Sequence, residues 1–258
     1  MAHVETDTRN PARHNPHLHA RIVAELKTLT PGRILDIPAG PGYLLKDLQG
    51  TQFTGIAADI DTRLHVLEGV QYAAVDMSGT FPFPDDSFDY VVSIEGIEHI
   101  QNHFAFLAEV SRVLRPGGRL ILTTPNIGTL TSRWKFLLSG FHSMERGPFP
   151  LDTPNIFFEH INPISFSQLY FACERSGLHV EKLMTSHYRK GSRWLRGLLY
   201  PLIRWSVRRS CFPKKVDLKI HDENRQLYQW LMSKENLTGG HTILMAQAGP
   251  TPSSQGLP

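Results

Sequence analysis

The stretch ILDIPAGPGYLL, residues 34–45, sets an acidic residue and two glycines at the end of an apolar run. Ile34, Leu35 and Ile37 read as a short buried strand, and Gly40 and Gly42 let the backbone turn tightly into a helix starting near Tyr43. A corner of this kind holds a ligand, and its side chains decide which. A dinucleotide fingerprint needs a third small residue where this chain has Leu45. A phosphate-binding loop needs a lysine after its last glycine, and here Tyr43 follows Gly42. Asp36 would repel a pyrophosphate and suits an ammonium group, so a cofactor bearing an amino acid is implied. Pro38 fixes its own φ near about −65° and offers no N–H, which leaves the conformational freedom of the loop to Gly40 and Gly42.

The elements that must position this loop alternate regularly. The spacing predicts a helix over 17–29, a strand over 33–37, a helix from Tyr43 to Leu48, and a strand over 52–58 that ends at Asp59. A helix around Leu64, a strand over 70–75 ending at Asp76, a strand over 88–93 and a helix running to Leu114 follow. Pro116-Gly117-Gly118 marks a turn before a strand over 119–124. Strands alternating with helices imply an α/β fold with a parallel sheet and right-handed crossovers. Ser165 and Gln168 form a capping-box pattern opening a helix that Gly177 ends, with strands over 179–184 and 241–247 closing the fold.

Five stretches in order, ILDIPAGPGYL, GIAADID, AAVDM, FPFPDDSFDYVVSIEGIEHI and RVLRPGGRLILTTPN, together resemble the successive motifs of class I S-adenosylmethionine-dependent methyltransferases, close to the group that includes ubiquinone-biosynthesis O-methyltransferases. The resemblance covers residues 30–185 and the last strand. It implies a Rossmann-like, mostly parallel seven-stranded sheet with an antiparallel last strand and helices on both faces. The expected organisation is an N-terminal arm over 1–16, one methyltransferase domain over 17–248 and a disordered tail over 249–258. Within the domain, 126–163 reads as a substrate excursion and 189–240 as a basic helical insert.

The resemblance further implies that Asp36, Gly40 and Gly42 hold the methionine part of S-adenosyl-L-methionine, with Asp36 facing its ammonium group. Asp59 would take the ribose hydroxyls, Asp76 and Met77 would frame the adenine, and Ile94 and Glu95 would line the reactive end. Pro38 departs from the family, which most often has glycine there. S-adenosyl-L-homocysteine would be the product. Methyl transfer asks mainly for alignment, and a hydroxyl acceptor adds the need for a base. His99, His160 and Glu98 are the candidates; Asn126 would orient an acceptor oxygen or form a turn. His99 and His103 have metal-ligand spacing without an evident third ligand, so no metal is expected.

Ten basic residues stand between Arg189 and Lys219 against the single acid Asp217, in a chain whose net charge is only +3. Within 193–210, Leu195, Leu198, Leu199, Leu202 and Ile203 fall on one helical face, Trp194 and Trp205 near its margin, and Arg193, Arg204 and Arg208 opposite, with a kink expected at Pro201. Three readings stay open: a lid packed on the sheet edge, a helix docked on an anionic membrane, and a site for a phosphorylated acceptor. Nucleic acid is not expected, because the aromatics follow the apolar stripe instead of alternating with the basic residues. Cys173 and Cys211 lack metal or disulfide spacing, and neither a leader-like nor a spanning apolar run is present, so a cytoplasmic protein, peripheral on the membrane's inner face, is expected. The sequence thus predicts an O-methyltransferase acting on a small-molecule, glycan or lipid-linked acceptor, with a non-catalytic scaffold of the same fold as the alternative. The acceptor and the oligomeric state are not readable from the motifs.

Overall fold

The computed structural model describes residues 15–143, 162–213 and 218–250. β1 (Arg33–Asp36), β2 (Thr54–Asp59), β3 (Tyr72–Ala74), β4 (Phe88–Ile94) and β5 (Leu114–Pro125) pair in parallel wherever they are neighbours. β7 (His241–Ala248) runs antiparallel between β5 and β6 (Leu178–Met184), giving the sheet order β3-β2-β1-β4-β5-β7-β6. The order reverses between β1 and β4, and in open α/β sheets a crevice for ligands forms beyond the strand ends at that switch point. Asp36 pairs with Ala57 on one side and Val92 on the other, at the centre of this rim.

Each sheet face is buried by its own helices. α1 (Pro16–Leu26) packs Leu18, Ile22 and Leu26 against Ile34, Val92 and Ile121, together with α2 (Tyr43–Asp47). Asn15 caps α1 through its side chain, and Pro16 occupies a first-turn position where its missing N–H costs nothing. The helix stops at Leu26, short of the expected Leu29, since Thr28 and Leu29 fold back in turn hydrogen bonds to Glu25 and Leu26. On the other face, Phe106, Leu107 and Val110 of α3 (His103–Val113) and Leu169 and Ala172 of α5 (Phe166–Arg175) cover Leu35, Val91 and Leu120. The capping box between Ser165 and Gln168 is formed.

The pattern departs from expectation at one helix, and the segments beyond β5 fill in the excursion and the insert. Around Leu64 there is only one 3₁₀ turn, Thr62–Leu64, held by the Asp61 side chain to Arg63 and too poor in apolar residues to pack as a helix. The excursion after β5 contains α4 (Leu130–Ser139), capped by the Thr129 side chain and ended by Gly140 in the left-handed conformation; residues 144–161 lie outside the described residues. The insert holds α6 (Lys190–Cys211), with Pro201 inside it, and α7 (Leu218–Met232) and α8 (Lys234–Thr238) complete it. Lys214, Lys215 and Asp217, the first 14 residues and the tail beyond residue 250 also lie outside the described residues.

Among the described residues no helix is long and apolar enough to cross a membrane, and no group of three or more histidine, cysteine, aspartate or glutamate side chains is placed to hold a metal ion.

Candidate active site

The glycine loop is built as its residue types require. Ile37 N–H donates to Val92 O at 2.8 Å and Ala39 N–H to Ala58 O at 2.9 Å, so the loop is strapped to both neighbouring strands. Gly40 and Gly42 take φ of 52° and 87°, where a side chain would be strained. The Ile37–Pro38 bond is cis. Asp59, at the end of β2, accepts the Gly40 N–H at 2.8 Å through Oδ2 and the Asp61 N–H at 3.0 Å through Oδ1. Tyr72 supports the corner from β3: its hydroxyl donates to Pro41 O at 2.8 Å, and its ring stacks on His65.

Asp36 is only 2% exposed. Burial, with the Asp59 charge as a second cause, pushes its carboxyl well above the ordinary range. A cation brought beside these two carboxylates would relieve that penalty, whereas a pyrophosphate would add to it. The donor set therefore fits a ligand carrying an ammonium or sulfonium charge. Asp76 is exposed and closes a turn by accepting the Ser78 N–H at 2.8 Å; Met77 is buried beside Gly96.

Ile94 ends β4 and Glu95 directly follows it on the same rim. Glu95 is a non-glycine residue with φ of 52°, a sparsely populated conformation that surrounding contacts must hold. Thr123 of β5 does so. Its carbonyl and hydroxyl oxygens both accept the Glu95 N–H, and the hydroxyl lies 3.1 Å from Glu95 Oε1, which accepts from it. Burial pushes the Glu95 carboxyl up to about 7, while the Thr123 hydrogen bond works in the opposite direction. Glu98 is 1% exposed, accepts from Thr124 Oγ1 at 3.0 Å, and keeps its other oxygen, Oε1, buried without a hydrogen-bond partner. Burial, and then the nearby Glu95, holds the Glu98 carboxyl well above its ordinary range.

Of the three candidate bases, His99 is half-buried on the turn Ile97–His99, Glu98 is sealed beneath that turn, and His160 falls outside the described residues. The structure adds a histidine that the sequence reading passed over. His241 opens β7, and its Nε2 lies 3.7 Å from Glu95 Oε2. Its Nδ1 lies 2.7 Å from Ser186 Oγ, which in turn lies 3.0 Å from His187 Nδ1. Burial, with His187 and Arg189 adding to it, lowers the His241 imidazole to about 4, so the ring is neutral at pH 7. The available signal was the Gly239-Gly240 pair before it: a Cβ on residue 240 would collide with the His187 ring. Asn126 closes a turn by accepting the Gly128 N–H at 2.9 Å through Oδ1, and its amide donates to the carbonyls of Asn236 at 2.9 Å and Gly239 at 3.1 Å.

The insert borders this rim through the antiparallel bridge between Tyr188 and Gly239, and through the Arg189 N–H donating to Thr238 O. The apolar stripe of its long helix is only partly covered. Leu195, Leu199 and Ile203 are half-buried, while Leu198 and Leu202 face outward with Trp194 and Trp205, all four more than 60% exposed. The i, i+4 criterion grouped leucines from two adjacent sides of the helix because packing against α4 and α7 takes only one of them. The start of α4 is joined to α6 by Thr131 and Ser192, whose hydroxyls are 2.8 Å apart, and it exposes Trp134, Leu137 and Leu138. A separate groove of about 340 Å³ between α3 and α5, lined by His103, Phe104 and Phe171 among others, shares none of the candidate site residues.

A family profile described as a methyltransferase domain matches residues 11–183. Over 140 residues, half of this chain and 51% of the relative, the sequence is 33% identical to phthiotriol/phenolphthiotriol dimycocerosates methyltransferase 1 of Mycobacterium ulcerans. It is 35% identical over 101 residues to a fatty-acid O-methyltransferase of Mycolicibacterium smegmatis, covering 35% of this chain and 36% of that one. The chain thus spans about half or less of the length of these curated relatives. Phosphoethanolamine N-methyltransferase 2 of Haemonchus contortus, solved with S-adenosyl-L-methionine, superposes with a TM-score of 0.51 at 19% identity, covering 90% of this chain and 52% of that one; it shares the fold. With the seven-stranded sheet and five motifs in order, the match places this chain in the class I S-adenosylmethionine-dependent methyltransferase family.

Proposed function

We propose that the protein transfers a methyl group from S-adenosyl-L-methionine to an oxygen of a lipid-linked acceptor at an anionic membrane surface. When bound, the cofactor supplies an electrophilic methyl on a sulfonium sulfur. In this reading Asp36 faces the ammonium group, Gly40 and Gly42 give its methionine part room, and Asp59 takes the ribose hydroxyls. Asp76 and Met77 flank the adenine, and Ile94 and Glu95 border the reactive end.

The observation that carries the lipid part is the outward face of α6, where Trp194, Leu198, Leu202 and Trp205 are exposed, Arg209 lies over the Trp205 ring, and Arg193, Arg204 and Arg208 are exposed on the same helix. Tryptophans and leucines at headgroup depth bury apolar area, and each arginine near an anionic surface contributes about 1 kcal/mol. The names of relatives acting on dimycocerosates and on fatty acids support the same acceptor class. Incubating the protein with isotope-labelled methyl donor and a lipid extract dispersed in anionic vesicles tests the reading. Label recovered in an alkali-stable methoxy lipid or a methyl ester is expected. Label confined to water-soluble products would defeat the lipid assignment, and absence of cofactor binding by calorimetry would favour the scaffold.

A further inference from the structure

The candidate bases named from the sequence leave out the one carboxylate that sits on the cofactor rim with a histidine behind it. We propose that Glu95 is the proton acceptor for the acceptor hydroxyl and that His241, Ser186 and His187 form the path by which that proton leaves the cleft. The inference rests on the hydroxyl-acceptor reading above and assigns its base.

Four observations support it. Glu95 directly follows β4 at the switch point, its side chain 28% exposed, so it borders the crevice and remains reachable. Its strained backbone is fixed by Thr123, which orients the carboxylate through Oε1 and leaves Oε2 toward His241. His241 is 8% exposed and His187 is exposed, with Ser186 between them, so the groups run in order from cleft to solvent. The ionisable groups facing the pair are Glu98 beneath Glu95 and His187 and Arg189 beside His241. Burial raises the Glu95 carboxyl so that it accepts a proton near neutrality, and burial, with His187 and then Arg189, lowers the His241 imidazole so that the ring rests uncharged.

The step balances. As the acceptor oxygen gains the methyl, the departing sulfur keeps the electron pair of the broken bond, and the hydroxyl proton passes to Glu95 Oε2. In one concerted shift the carboxylic acid gives this proton to His241 Nε2 while the ring's Nδ1 proton moves to Ser186 Oγ and the serine's own to His187 Nδ1, so no imidazolium forms at His241. Release from the exposed His187 restores the Glu95 carboxylate. The 3.7 Å between Glu95 and His241 closes to hydrogen-bond range with a small side-chain shift, and such contacts are often long before substrate binds.

The test combines magnetic resonance with kinetics. In protein labelled with ¹³C at glutamate carboxyls, the resonance missing from Glu95→Gln should titrate near 7, and in ¹⁵N-labelled protein His241 should carry its proton on Nδ1. Label transfer to the lipid extract should rise with pH through the same midpoint. Glu95→Gln should slow it by about 10²-fold or more and flatten the rise, with Glu95→Asp partly restoring both. A Glu95 carboxyl titrating near 4, a His241 proton on Nε2, or a Glu95→Gln rate within threefold of wild type would each overturn the proposal. If the wild type binds no cofactor or labels nothing, the methyl-transfer reading fails instead, and the tautomer and titration decide the pair by themselves.

Discussion

Pro38 and Gly96 are locked together across the cleft floor: a Cβ on residue 96 would overlap the proline ring, with Met77 Cε close on the other side. The loop after β1 and the loop after β4 therefore share one contact that admits no side chain. Gly96→Ala should destabilise the fold by about 1 to 3 kcal/mol through overpacking and displace the glycine loop. Urea unfolding and cofactor calorimetry check this; unchanged stability would mean that the two loops move independently.

Asp59 accepts the Gly40 N–H and, in the proposed reading, the ribose hydroxyls, so its removal should register in both. Asp59→Ala should weaken cofactor binding by about 1.5 to 3 kcal/mol through lost charged hydrogen bonds. It should also lower the melting temperature, because the Gly40 N–H loses its acceptor. Calorimetry showing wild-type affinity would remove Asp59 from the ribose site.

The Glu95 carboxyl is held up to about 7 by burial, above its unfolded value. A carboxyl with a raised folded pKa contributes its full stability below the unfolded pKa, near 4.5, and loses it as pH rises through the folded value. Glu95→Gln removes that dependence. The variant should be more stable than wild type at pH 8 by up to about 3 kcal/mol and nearly equal to it at pH 4.5. Denaturant titrations at the two pH values measure the difference; a gain at pH 4.5 as large as that at pH 8 would contradict the assignment.

Replacing Leu198, Leu202 and Trp205 with serine should abolish sedimentation with anionic vesicles. Cofactor affinity should not change, because these side chains lie on the outward face of α6. Wild-type sedimentation should weaken as salt rises. A wild type that never sediments would make the helix a lid.

The glycine loop, the strand-end carboxylates and the β/α alternation were legible because each depends on residues close together in the chain. Asp36, Gly40 and Gly42 lie within one turn, and the burial of Ile34 and Leu35 follows from their type. The antiparallel seventh strand came from the family resemblance, since apolar alternation in HTILMAQ does not encode direction. Glu95 and His241 were not legible as a pair: they meet only because β7 inserts between β5 and β6, a consequence of the whole sheet order. Which part of the α6 leucine stripe is covered was not legible for a related reason. A helix with leucines on adjacent sides can bury either one, and the choice belongs to its neighbours α4 and α7.

Because β7 enters the sheet from the rim where β1 and β4 end, the insert that precedes it begins and ends at that rim, while Leu227, Trp230 and Leu231 of α7 pack on the core below. In the proposed reading, residues 33–95 hold the nucleotide and the segments after β5 and before β7 choose the recipient, the two meeting along the seam where the insert joins the rim. Grafting another 185–240 segment onto this scaffold should redirect which molecule is modified while the donor site stays intact, making the seam a natural place for new specificities to be spliced in.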